Sequence, residues 1–211
     1  MKHGGKILII IVTIVLQSDT AFAQDYSLKG RSALEFNMGF WGGSNTSNTL
    51  TTNGIRSEAK TNGFVGGIQY SHWIQEQVSA TLSIGFLAGE ATSTVSFSGV
   101  NQHTSIIVPV LIGVNYYFFN PAQEDAVRPF VSAAIGPYIG SESNNTMLSQ
   151  NAHSETAFGA RIGAGIDFLL GDHFKLGAGA DYNVMSDFKN TVGAKTNYNG
   201  VDVLIGMCYI F

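Results

Sequence analysis

The chain has 211 residues, 45% of them apolar and only 12% charged, with 25 glycines and a formal net charge of −4. Ordinary soluble domains carry about 25% charge and about 7% glycine, so a charge-rich disordered chain is excluded, and the acidic balance is a poor match to nucleic acid. The single cysteine, Cys208, excludes an intramolecular disulfide framework and a cysteine-based zinc site.

Residues 1–23 read as a cleaved secretory signal peptide. Lys2 and Lys6 form the positive start, residues 7–16 the apolar stretch, and Ala21-Phe22-Ala23 the small-x-small cleavage site before Gln24. The apolar stretch is about half of the roughly 20 residues a membrane helix needs, so it is not an anchor. Residues 24–211 then form one exported domain.

That domain alternates with period two, the signature of strands with two different faces. Leu34, Phe36, Met38 and Phe40 alternate with Glu35, Asn37 and Gly39. Phe64, Ile68 and Tyr70 follow, then Val78, Ala80, Leu82, Ile84 and Phe86. Val108, Val110, Ile112, Val114, Tyr116 and Phe118 come next, then Val131, Ala133, Ile135 and Ile139. The clearest case is residues 158–168, where Phe158, Ala160, Ile162, Ala164, Ile166 and Phe168 oppose Gly159, Arg161, Gly163, Gly165 and Asp167. Phe174, Leu176, Ala178, Ala180 and Tyr182 form the seventh run, and Val201, Val203, Ile205, Met207, Tyr209 and Phe211 the eighth.

Eight strands of roughly 10–14 residues suit a tilted membrane strand of about 9–11 better than a soluble strand of about 5–6. The connections alternate between short ones, tight turns at 74–77 and 170–173 and a somewhat longer one at 120–128, and long Ser/Thr/Asn-rich loops at 44–60, 90–102, 141–154 and 187–197. Short periplasmic turns opposite long external loops are the pattern of an outer-membrane barrel. The apolar faces carry aromatic residues near both strand ends, as lipid-interface girdles do. The apolar face is therefore expected to meet lipid, and the small-polar face to fill the lumen. The fold class is all-β: an eight-stranded antiparallel up-and-down transmembrane β-barrel.

Residues 108–118 (VPVLIGVNYYF), 128–138 (RPFVSAAIGPY), the glycine-alternating strand 158–168 and the ending MCYIF at 207–211 carry a resemblance to a known group. The chain resembles the eight-stranded outer-membrane β-barrel superfamily of Gram-negative bacteria, OmpX/OmpA-like and opacity-protein-like, across its whole mature length. The resemblance implies residence in the cell outer membrane. It implies outer-membrane lipids as neighbours and the barrel-assembly machinery as a partner during insertion. Met207, Tyr209 and Phe211 match the C-terminal signal that machinery reads. It implies no cofactor and no single activity, because the superfamily mixes adhesins, structural barrels, small channels and lipid-modifying enzymes. Function must come from a site.

Glu35, Arg161, Asp167, Lys175, Asp181 and Asp202 fall on the inward face. Buried charges need partners, so they are expected to form a lumenal network. The leading reading is a non-enzymatic barrel with a structural or surface-interaction, adhesin-like role, its external loops offered to an extracellular ligand. The alternative is a narrow small-solute channel. The third is a lipid A-modifying enzyme, since His103-Thr104-Ser105 resembles the His-x-Ser element of the outer-membrane lipid A deacylase, though at a loop–strand boundary and without an assignable acidic partner. His153-Ser154-Glu155 has suitable residue types in an external loop, and no two histidines have metal-ligand spacing. Pro109 and Pro137 are expected to mark bulges or positions above the bilayer.

Overall fold

The computed structural model describes residues 27–43, 50–52, 55–57, 62–96, 99–118, 126–146, 149–193 and 195–211. The signal peptide, with Ala21 and Ala23, lies outside them. The strands are β1 (Ser32–Gly43), β2 (Leu50–Thr52), β3 (Ile55–Ser57), β4 (Asn62–Gln75), β5 (Val78–Ser96), β6 (Gly99–Tyr117), β7 (Val127–Thr146), β8 (Ser149–Leu169), β9 (Phe174–Met185) and β10 (Gly200–Ile210). Eight of them close an antiparallel barrel in the order β1-β10-β9-β8-β7-β6-β5-β4, and β2 and β3 form a separate small hairpin in the first long loop. Closure runs from Ala33↔Ile210 to Gly43↔Gly200 between β1 and β10. A closed barrel leaves no unpaired strand edge in hydrocarbon, where an unpaired backbone group is costly.

The alternation puts the large apolar side chains outside. Phe40 is 72% exposed, Ile205 63% and Ile162 59%. In water such a continuous apolar belt would be untenable; against lipid it is the favourable surface. The girdle aromatics also meet one another, Phe40 with Phe64 and Phe64 with Phe86 near the long-loop end, Tyr116 with Phe118 near the short-turn end.

Three sequence expectations change. The loops expected at 90–102 and 141–154 are largely ladder: β5 and β6 pair up to Ser96↔Gly99, and β7 and β8 up to Thr146↔Ser149. The apolar alternation that marks a membrane strand stops in these segments, while β-branched residues such as Thr92, Thr94 and Val95 still favour the pleated backbone. Second, Pro109 and Pro137 make no bulge. Pro109↔Tyr138 and Ile112↔Ile135 keep one register, and only the intervening pairs lapse. Pro137 still pairs with Phe158 on its other side. Register shifts fall instead between Trp73 and Gln75 and between Ala88 and Ala91. Third, His103-Thr104-Ser105 lies within β6 rather than at a loop boundary.

Candidate functional site

The lumen gathers the buried charged side chains of the described strands, and it is built in three layers. The lowest, at the short-turn end, is apolar. Leu28, Ala33, Trp73, Tyr117, Leu169, Cys208 and Ile210 are buried together, with Phe130 packed against them. Leu28 enters this layer from a turn that precedes β1. Glu76, in the β4–β5 turn, holds that turn by accepting from Ser27 Oγ at 2.6 Å, Leu28 N at 2.9 Å and Lys29 N at 3.2 Å.

Partial burial pushes the Glu76 carboxyl up. The hydrogen bonds from Ser27, Leu28 and Lys29 and the charge of Arg128 outweigh it and hold the group below its ordinary value. A depressed folded-state value stabilises above the ordinary carboxylate range and is lost as pH falls through the folded value. Thermal unfolding in detergent is therefore expected to show an acid-side loss of stability that Glu76→Gln removes. An unchanged acid slope in that variant would refute the role.

The middle layer is polar. Lys175, 3% exposed, donates to Asp167 Oδ2 at 2.7 Å and reaches Glu35 Oε2 at 3.0 Å. Its ammonium also lies 5.9 Å from the centre of the Trp73 ring, so the polar layer rests on the apolar one. The glycines on the neighbouring strand positions make the room. A Cβ on Gly206 would sit 2.8 Å from Glu35 Oε1, and one on Gly177 2.8 Å from Asp167 Oδ1. Higher up, Arg161 donates to Ser83 Oγ at 3.2 Å and lies 3.8 Å from Asp181 Oδ2. Tyr138 donates to Asn183 Oδ1 at 2.8 Å, and Asn183 donates on to Asp202 Oδ2 at 2.6 Å. The six ionisable residues that parity assigns inward stand in the lumen, in three groups: Glu35 with Lys175 and Asp167, Arg161 with Asp181, and Asp202 with Asn183; Arg128, also inward and buried, stands apart from them at the short-turn end. Between them lies a cavity of about 60 Å³ lined by Asn37, Asn115, Ser132 and Arg161 among others. At about 10–15 Å³ of such space for each water, this is room for a few waters.

The top layer is apolar again. Trp41, Val65, Leu87, Ile107, Leu111, Tyr138 and Met185 meet Phe188, Val192 and Tyr198 from the β9–β10 connection, with Leu204 packed against them. The inward Leu87, Leu111 and Leu204 are thus part of an apolar seal. The connection itself is a folded lid. Tyr198 OH donates to Val192 O at 2.7 Å, Gly193 N donates to Glu142 Oε2 at 3.0 Å, and Lys195 Nζ stands 4.9 Å from the centre of the Trp41 ring. Sequence reading treats 187–197 as a polar loop and misses these three apolar anchors. It also passes over Trp41, Trp73, Tyr117 and Tyr138, whose inward parity is visible in the alternation.

The enzyme-like elements fare differently. Ser105 is 2% exposed on the lumen face of β6, beneath the lid, where a Cβ on Gly193 would meet its side chain. His153 Nε2 lies 2.7 Å from Glu155 Oε1, to which Asn190 also donates, while Ser154 sits on the opposite face of β8. Among the described residues no group of three or more His, Cys, Asp or Glu side chains is placed to hold a metal.

A closed, lipid-belted eight-stranded barrel with a filled lumen defines an integral outer-membrane barrel. The outer membrane protein beta-barrel domain family matches residues 11–211, and the chain belongs to that family. A comparison with curated proteins finds no match. Among solved structures, a major outer membrane protein from Thermus thermophilus aligns with a TM-score of 0.54 at 13% identity, covering 86% of this chain and 98% of that one. Neisserial surface protein A (NspA) aligns at 0.51 and 15% identity, covering 87% and 98%. OprG from Pseudomonas aeruginosa aligns at 0.50 and 13% identity, covering 89% and 98%. At these identities the likeness is one of fold.

Proposed function

We propose that this protein is a non-conducting, non-enzymatic outer-membrane barrel whose role is structural and surface-interacting, with the long-loop end presented to an extracellular ligand. The observation that carries this reading is the pair of apolar layers closing the lumen at both ends. A solute path needs a continuous polar bore. Here Trp73 and Tyr117 stand across one end, Trp41, Tyr138 and the lid across the other, and about 60 Å³ lies between. These six ionisable residues then act as internal struts, most of them between neighbouring strands, rather than as a permeation path.

The direct test is single-channel recording on the refolded protein in a planar bilayer. Silence is expected under conditions in which a known porin conducts. Stepwise conductance that changes when Arg161 or Lys175 is neutralised would instead favour the small-solute channel.

Export through the signal peptide cleaved after Ala23 and insertion by the barrel-assembly machinery complete the reading. Met207, Tyr209 and Phe211 support the second point, since all three project outward from the end of β10, where a docking factor can read them. Phe211→Ala is expected to lower the share of the protein that reaches the heat-modifiable, folded form in cells while leaving refolding in detergent intact. Equal cellular yields would remove the assignment.

A further inference from the structure

On the outer wall, close to the short-turn end, three polar side chains form a hydrogen-bonded chain of their own. Ser32 Oγ lies 2.9 Å from Tyr70 OH and 3.0 Å from His72 Nδ1. The register explains the meeting: Ser32 pairs directly with His72, and Leu34 with Tyr70, across β1 and β4. All three belong to the lipid-facing parity, and Tyr70 and His72 are exposed. Nothing in the lumen uses them. Tyr70 and His72 lie near the end of β4 and Ser32 opens β1, at the girdle of the periplasmic leaflet.

The chain of protons has a useful property. In one direction Tyr70 donates to Ser32 and Ser32 donates to His72 Nδ1, so His72 Nε2 carries the outward N–H and the Tyr70 oxygen is left as an acceptor. In the other direction His72 Nδ1 donates to Ser32 and Ser32 to Tyr70, so the Tyr70 O–H points outward and His72 Nε2 accepts. Either way the two ends offer one donor and one acceptor. Alternate residues of a strand lie about 7 Å apart, so the ends are separated by roughly the span of a small bifunctional headgroup.

We propose that Ser32, Tyr70 and His72 form a headgroup site for phosphatidylethanolamine in the periplasmic leaflet. Its phosphate accepts from the donor end and its primary ammonium donates to the acceptor end. Phosphatidylcholine keeps the phosphate but has no N–H to donate. Phosphatidylglycerol can donate from a hydroxyl, but that neutral bond is weaker than the charge-assisted one from an ammonium. Ser32 is the positioning residue: it contacts both ends and fixes their opposite polarity. The site depends on the outer-membrane placement of the barrel and is independent of whether the lumen conducts.

The test is native mass spectrometry of the refolded full-length mature chain, offered equal amounts of phosphatidylethanolamine and phosphatidylcholine with identical acyl chains. The ethanolamine lipid is expected to be retained about fivefold over the choline lipid, the factor that one ordinary hydrogen bond contributes. Ser32→Ala and Tyr70→Phe are expected to bring the ratio to near one. Tyr116→Phe, a change at another exposed girdle tyrosine, is expected to leave it unchanged. Heat-dependent gel mobility establishes that each variant is folded, and Tyr70→Phe, which keeps the ring in the girdle, decides the matter if Ser32→Ala does not fold. A wild-type ratio near one, a preference that survives in folded Tyr70→Phe, or stronger retention of phosphatidylglycerol than of either would overturn the proposal.

Discussion

Replacing Lys175 by methionine is expected to destabilise the barrel by about 3–5 kcal/mol, the usual cost of removing one partner from a buried ion pair. The ammonium stands 2.7 Å from Asp167 and 3.0 Å from Glu35, and Asp167 is only 1% exposed. Without the lysine, two carboxylates face each other in a closed space beneath an apolar layer. Methionine keeps most of the volume, so the loss is electrostatic rather than a cavity effect. The control is the triple change Lys175→Met, Asp167→Asn and Glu35→Gln. It removes the charges together and is expected to cost clearly less than the single change, because no orphan charge remains. Urea-induced unfolding in lipid vesicles, followed by tryptophan emission and gel mobility, measures both. Equal losses in the single and triple variants would mean that shape, not charge, is what the lumen requires there. Arg161→Met is expected to cost less than Lys175→Met, since its nearest Asp181 oxygen is 3.8 Å away.

The ionisable lumen residues stand where parity puts them because lipid imposes the alternation. An outward Glu, Asp, Lys or Arg would face hydrocarbon, so each charge in a membrane strand is driven to the other face. The same force makes the outward Phe, Ile and Val runs readable without any structure. Two things escape that reading, each for a physical reason. The outer ladder of β5 to β8 runs beyond the apolar alternation, so nothing in the pattern of residues 91–96 separates a strand from a loop. The lid escapes because Phe188, Val192 and Tyr198 belong to an irregular segment with neither period two nor a helical period. Their burial depends on Trp41, Leu87 and Ile107 arriving beneath them from three other strands. The polar trio of Ser32, Tyr70 and His72 has a third reason. Tyr70 and His72 look like any girdle pair, and only the β1–β4 register brings Ser32 between them. Arg128 shows the cost of reading apolar runs first. It is 2% exposed at the short-turn end, and parity with Phe130 already places it inward.

Two seals in series make a sharp statement about conduction. Trp73→Ala removes a fully buried indole from the lower layer, and Tyr138→Ala removes a fully buried phenol from the upper one. Each is expected to cost about 3–5 kcal/mol, as large-to-alanine changes in packed interiors do. Neither alone is expected to produce current, because the other layer still spans the bore. Together they open a route from the short-turn end, past Lys175 and Arg161, to the space beneath the lid. The lid and Trp41 still close that space from above, so conductance steps are expected only when Trp41→Ala and Phe188→Ala are added to the double variant, while the wild type and both single variants stay silent. Current in Trp73→Ala alone would mean that the lid and Trp41 do not close the upper end. The two layers also predict how the changes combine. With Trp73 gone, water reaches Asp167 and Glu35, so adding Lys175→Met on that background should cost less than it does in the wild type. Contacting residues are expected to depart from additivity in this way, and the departure here has a definite sign. If the two costs simply add, the indole does not shield the ion cluster, and the lower seal must rest on Tyr117, Leu28 and Ile210 instead.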